Sequence, residues 1–259
     1  MNNRSGFVYI VGAGPGDPEL LTVKALNAIQ NAEVILYDAL LDKRFLEKFP
    51  AGCYTRYVGK RMNKHSHTQG EINKLLVHYA RQGFRVVRLK GGDPFIFGRG
   101  GEEVQALIEE KIPFEIIPGV SSLQAAGAEF MIPLTHRGIS DRMLIINGHG
   151  ISANPETDWK SISSFEGTIV IFMGICIIQD IASNLIKHGM NPETPIAIME
   201  NVSLPDSAIT KKTLYDIAIE GYRALTDGAG IAYIGDVVGM FSIEELSAPQ
   251  IADRHLNFK

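Results

Sequence analysis

Apolar and polar positions alternate along this chain in blocks of two kinds. Short apolar runs at residues 7–11, 33–37, 54–58, 84–89 and 114–117 have the length and the β-branched or aromatic content of strands. Segments with helical spacing stand between them. Thr22 opens one, with Ala25, Leu26 and Ile29 on one face, and a second lies near 43–49. Thr68 with Glu71 three residues on is a capping box, and the helix behind it carries Ile72, Leu75, Leu76 and Tyr79 until Gly83 stops it. Residues 102–111 read as another helix. Strands that alternate with helices predict an α/β fold with mostly parallel pairing and right-handed crossovers.

The second half repeats this style less cleanly. Residues 142–146, 168–173, 195–199, 208–212 and 230–234 read as strands, and 177–188 and 214–222 as helices. The turn Pro118-Gly119-Val120-Ser121-Ser122 divides the halves. That gives domains 1–119 and 120–246 and a polar tail, 247–259, in a chain of 259 residues.

Composition narrows the class. With 45% hydrophobic and 21% charged residues the chain is an ordinary globular protein, and a net charge of −4 gives no basic field for nucleic acid. Cys53 and Cys176 form no CxxC pair, which argues against a zinc site or a disulfide framework and fits a reducing cytoplasm. Both read as core residues. The run at 7–11 is too short for a signal peptide or a membrane span, so the protein is expected to be cytoplasmic, with no membrane partner.

The first strand–turn–helix invites a dinucleotide reading: Gly12-Ala13-Gly14 begins GxGxxG, and Asp38 ends the second strand. Asp17 holds the third glycine position, and Pro15 and Pro18 remove backbone donors that a pyrophosphate needs. A nicotinamide-dependent oxidoreductase is disfavoured on those grounds. A glycine-rich loop follows a later strand, from Lys90 to Glu102. Its glycines let backbone approach a ligand, Phe95 and Phe97 offer rings, and Asp93 offers an acceptor. Between the loops, residues 51–70 hold Arg56, Lys60, Arg61, Lys64, His65 and His67 and no acid, as a solvated face or as a site for several carboxylates. The two histidines have no carboxylate or cysteine at metal-ligand spacing, so no metal is expected.

At these loops the chain resembles the tetrapyrrole methylase family. The resemblance runs through most of 7–240: VGAGPGDPELL at 11–21, LYD at 36–38, YVGKR at 57–61, His65-Ser66, Gln69 and EIN at 71–73, and VVRLKGGDPFIFGRGGEE at 86–103. IPGV at 117–120, IPLTHR at 132–137, Gly148-His149, Met173-Gly174 and residues 235–238 follow. The block at 86–103 is the most specific of these. The resemblance implies two α/β domains with the active site in the cleft between them, usually a homodimer, and S-adenosyl-L-methionine as methyl donor, leaving S-adenosyl-L-homocysteine. It implies a tetrapyrrole acceptor, uroporphyrinogen III, methylated at C2 and C7 through precorrin-1 to precorrin-2, for sirohaem or cobalamin synthesis. The dehydrogenase/ferrochelatase module of fused sirohaem synthases is not matched, so later steps are expected of other proteins.

By position, the resemblance assigns the cofactor to Pro15, Gly91, Gly92, Asp93, Ile96, Ser121, Ser122, Met173, Val202, Gly230 and Ala232. It makes Asp38 and Lys60 an acid/base pair, and Arg99 is a third catalytic candidate, acting by positioning carboxylates. Arg99, Glu102, Arg137 and His149 line the tetrapyrrole side, where Arg61 and Lys64 add charge for its carboxylates. The chain departs from the family at Val202, often Gly, at Ser207-Ala208, often Gln-Arg, and at Asn147, a Thr elsewhere. A non-catalytic tetrapyrrole carrier is the remaining alternative, and Asp38, Lys60 and the intact loops argue against it.

Overall fold

A computed structural model describes residues 6–38, 42–59 and 67–241. The chain divides into two compact units, Met1–Ala125 and Ala126–Lys259.

The first unit is built on five parallel strands: β1 (Phe7–Gly12), β2 (Val34–Tyr37), β3 (Tyr54–Tyr57), β4 (Arg85–Lys90) and β5 (Phe114–Ile117), in the order β3-β2-β4-β1-β5. Helix α1 (Val23–Gln30) buries Ala25, Ala28 and Ile29 against Val11, Ile35, Val87 and Leu89 on one face of the sheet. Helices α2 (Gln69–Arg81) and α3 (Gly100–Glu109) bury Ile72, Leu76 and Leu107 against Val8, Ile10, Leu36 and Val86 on the other. Covered on both faces, β1 reads as a nearly continuous apolar run. Thr22 caps α1, and the Thr68–Glu71 capping box forms as the spacing predicts. The helix expected near 43–49 is a 3-10 helix, Lys43–Lys48, started by Asp42.

The second unit corrects the expectation of mostly parallel pairing. Its strands are β6 (Met143–Asn147), β7 (Thr168–Phe172), β8 (Pro195–Glu200), β9 (Ala208–Thr213) and β10 (Gly230–Ile234), in the order β6-β7-β10-β8-β9. Only β6 and β7 run parallel. β10 is antiparallel to both β7 and β8, and β8 to β9. The connection 201–207 from β8 to β9 is too short for a crossover, which needs a dozen or more residues. Helices α7 (Ile178–Lys187) and α8 (Leu214–Glu220) bury Ile181, Leu185 and Ile217 against Ile169, Ile171, Ile196 and Ile198.

Three helices lacked a readable stripe: α4 (Ser122–Glu129), α5 (Gly148–Ala153) and α6 (Trp159–Ser163). They are short and rich in small or polar residues, so no apolar face of useful length exists. The expectation that both cysteines lie in the core is also corrected. Cys53 is half-buried against the α1 side of the sheet, but Cys176 is exposed. It sits in the 3-10 turn Ile175–Ile177, where the flanking isoleucines take the core and the middle residue faces out.

Candidate active site

Side chains on a strand alternate between its two faces. Val86 of β4 faces α2 and α3, so Arg88 and Lys90 share that face, and both are almost fully buried. Burying two cations is costly unless anions meet them. Two anions do. Glu103, in the first turn of α3, has no exposure, and its Oε1 accepts from Arg88 Nε at 2.8 Å and Lys90 Nζ at 3.0 Å. Asp38, just past the end of β2, accepts from Arg88 Nη2 at 2.6 Å. Arg88 Nη1 donates to the carbonyls of Leu36 and Leu89. Burial pulls the Arg88 guanidinium down, but Asp38 and Glu103 outweigh it and hold its pKa above the usual value. Burial, with Arg88 alongside, pushes the Lys90 ammonium below the usual value. The Asp38 side chain, 25% exposed, is the member of this neutral cluster that reaches the surface.

The loops that follow β1, β4 and β5 meet beside this cluster. Gly14 and Gly92 exchange backbone hydrogen bonds, at 3.3 and 2.7 Å. A Cβ on Gly119 would lie 2.3 Å from the Gly92 carbonyl oxygen and 2.7 Å from the Gly12 carbonyl carbon, so the three loops pack through bare backbone. Asp93 locks them: Oδ1 accepts from Phe95 N at 2.8 Å and Oδ2 from Gly119 N at 3.2 Å. Ser121 Oγ accepts from Leu123 N in the first turn of α4, and Ser122 is that helix's first residue. Pro15, Gly91, Gly92 and Ile96 are half-buried, and Phe95 is exposed. The structure thus brings Asp38 and these cofactor candidates to the carboxyl ends of the first sheet's strands, where open α/β sheets hold ligands.

In the second unit Met173 follows β7, Val202 follows β8 and Gly230 begins β10. Because β10 runs antiparallel to both neighbours, with Gly230 opposite Glu200 and Ile231 opposite Phe172, these residues share one end of the sheet. His149, in the first turn of α5 after β6, lies at that end and is exposed. Ala232 contributes its side chain to the core, and Gly230 is small because Ile175 packs on it. Met173 has a positive φ of 52°, as do Asn201 and Ser203 at 49° and 66° on either side of buried Val202. Glu129 holds that strained loop, accepting from Ser203 N at 2.7 Å and Ser207 Oγ at 2.5 Å. Ser207 thus has a local use, and Asn147 caps α5 by accepting from Gly150 N.

Arg99 and Glu102 pair with each other. Arg99 Nε and Nη2 donate to the two Glu102 oxygens at 2.7 and 2.8 Å, with both side chains half-exposed. Arg99 is itself in the left-handed region, φ 58°, at the start of α3. This pair holds the Arg99 guanidinium above, and the Glu102 carboxyl below, their usual values. Arg137 is exposed in a turn, 136–140, that Ser140 ties to Thr168 at the start of β7. It therefore stands at the opposite end of β6 from His149. Lys60, Arg61 and Lys64 lie outside the described residues, as do His65 and the tail 247–259.

Sequence reasoning passed over Arg88, Lys90, Glu103 and Glu129. A signal for the first two was present: charged residues spaced by two in a strand otherwise apolar on both faces require buried partners.

A parallel sheet with glycine loops at its carboxyl ends and a half-exposed carboxylate beside them defines a ligand-binding α/β enzyme site. The chain belongs to the tetrapyrrole (corrin/porphyrin) methylases, whose family pattern matches residues 8–218. An S-adenosyl-L-methionine-dependent uroporphyrinogen III methyltransferase of Methanosarcina barkeri is 44% identical, over 94% of this chain and 96% of that one. A siroheme synthase of Saccharophagus degradans is 42% identical over 91% of this chain, which spans only 51% of that protein. Among solved structures, the uroporphyrin-III C-methyl transferase of Thermus thermophilus complexed with S-adenyl homocysteine superposes with a TM-score of 0.78. It is 39% identical and covers 91% of this chain and all of its own.

Proposed function

We propose that this chain is an S-adenosyl-L-methionine-dependent methyltransferase acting on uroporphyrinogen III, adding methyls at C2 and C7 to give precorrin-2 by way of precorrin-1. The observation that carries this reading is Asp38, the surface member of a buried neutral charge cluster, beside the joined glycine loops. The methanogen relative, matched over nearly its whole length, supports the acceptor.

The residues present suit the methyl donor. The space over Gly92 is open, since a Cβ there would meet nothing within 4 Å. Backbone carbonyls of 91–96 offer acceptors without side-chain bulk, and in the second unit Met173 is 43% exposed. The donor supplies an electrophilic methyl on a sulfonium. The chain's own part is to hold an electron-rich pyrrole carbon in line with it, and orientation of this kind contributes about 7–11 kcal/mol. Bond formation leaves the macrocycle cationic, and Asp38 accepts the proton it loses. Lys60 is assigned to the same proton traffic.

Arg99, Glu102, Arg61 and Lys64 are assigned to the carboxylate-rich acceptor, with Arg137 and His149. The last two stand at opposite ends of β6. We assign the enzyme to the cytoplasm as a homodimer feeding sirohaem or cobalamin synthesis. No described helix is long and apolar enough to cross a membrane.

Anaerobic incubation with uroporphyrinogen III and S-adenosylmethionine, followed by mass spectrometry of the macrocycle, tests the reading. Two added methyls are expected. No gain, from folded protein that still binds S-adenosylhomocysteine, rejects the acceptor.

A further inference from the structure

We propose that Glu103 is a positioning residue for methyl transfer: it fixes the guanidinium of Arg88 and, through it, the carboxylate of Asp38. This rests on the reading of Asp38 as proton acceptor.

Glu103 has no exposure, so it cannot itself meet a substrate from the solvent side. Its two oxygens are used very unequally. Oε1 accepts from Arg88 Nε at 2.8 Å, Lys90 Nζ at 3.0 Å and Gln69 Nε2 at 3.2 Å. Oε2 has no partner among the described residues. A buried carboxylate with one unpaired oxygen is costly, and an apolar residue in place of a buried ion pair is often as stable or more so. Stability alone therefore does not account for a charged hub here.

The guanidinium geometry supplies a reason. Arg88 is planar and rigid, so anchoring Nε to Glu103 and Nη1 to the Leu36 and Leu89 carbonyls fixes where Nη2 points. It points at Asp38. The anchor is braced in turn. Gln69 ties it to the first turn of α2, and Asn73 of the next turn donates to the Glu102 carbonyl at 3.2 Å. One strand and two helices thus converge on one oxygen atom, and the convergence is delivered to the surface as the orientation of one carboxylate.

The test is a double-mutant cycle in steady-state methylation. Glu103→Gln is expected to lower kcat roughly tenfold to hundredfold, the cost of a displaced reacting group. KM for S-adenosylmethionine and Kd for S-adenosylhomocysteine are expected to stay within about twofold, as for sites that do not couple. In an Asp38→Asn background, Glu103→Gln is expected to cause no further loss, because its effect runs through Asp38. Full kcat in Glu103→Gln, or an equal loss in both backgrounds, overturns the proposal. If Glu103→Gln does not fold, Glu103→Gln/Lys90→Met removes one cation with one anion and carries the same kinetic expectations. Asp38→Asn at full rate rejects the proton-acceptor reading itself. A slow Asp38→Asn beside a full-rate Glu103→Gln rejects the role of Glu103 alone.

Discussion

Arg88 Nη2 donates to Asp38 Oδ1 at 2.6 Å, from a side chain that is 2% exposed to one that is 25% exposed. A buried cation thus orients a carboxylate at the protein surface. Asp38→Asn keeps the shape and removes the proton acceptor. Methyl transfer is expected to fall about 10²–10⁴-fold, the range for general acid–base groups, with S-adenosylhomocysteine binding retained in calorimetry. Full rate from the folded variant would remove Asp38 from the mechanism.

Gly119 tests whether the joined loops form the cofactor cradle. Its Cβ would press on Gly92 and Gly12 backbone, which cannot swing aside as a side chain can. Gly119→Ala is expected to destabilise by about 1–3 kcal/mol and to weaken S-adenosylhomocysteine binding. Gly101, exposed in α3, has open space around it, and Gly101→Ala is expected to be neutral or stabilising by up to about 1 kcal/mol. Thermal melts with and without S-adenosylhomocysteine separate the two.

Removing Arg99 is expected to leave stability within about 1 kcal/mol, because it and Glu102 form a half-exposed pair. Its effect belongs in the acceptor's KM. If Arg99 meets substrate carboxylates, Arg99→Ala raises KM at low salt, and the gap from wild type narrows as salt rises. A KM that does not change at either salt concentration counts against that contact.

Acid should weaken the fold in a predictable direction. Hydrogen bonds from the Thr68 amide and hydroxyl hold the Glu71 carboxyl below its usual pKa, and the Thr213 amide and hydroxyl do the same for Asp216. A depressed folded-state pKa contributes stability that is present above the unfolded-state value, about 4, and is lost as pH falls through the folded one. Glu71→Gln/Asp216→Asn is expected to flatten the fall of urea midpoint below about pH 5. An unchanged acid slope would show that other carboxylates set it.

How far the sequence could be read depended on which interactions are local. The strands of the first unit and the Thr68 cap were legible because apolar runs and a four-residue motif carry their own signal. Chain direction in the second sheet was not: β10 lies between β7 and β8, and nothing in Gly230–Ile234 records that. Asp38 and the glycine loops stood out through family motifs. Glu103 did not, because one glutamate among Glu102, Glu103, Glu109 and Glu110 looks like any surface acid until α3 is wound and turns it inward. Only one local clue, the spacing of Arg88 and Lys90, pointed at the cluster.

The order of the first sheet has a consequence for synthesis. β1 is made first, yet its neighbours are β4 and β5, with Val8 set beside Val86 and Phe114. At about 5–20 residues per second, β1 waits roughly 4–16 s for β4 to follow it off the ribosome. β2 and β3, close in sequence, can pair during that time. Of the strands in this sheet β1 therefore waits longest for a partner, and its apolar side chains stay uncovered until β4 and then β5 arrive.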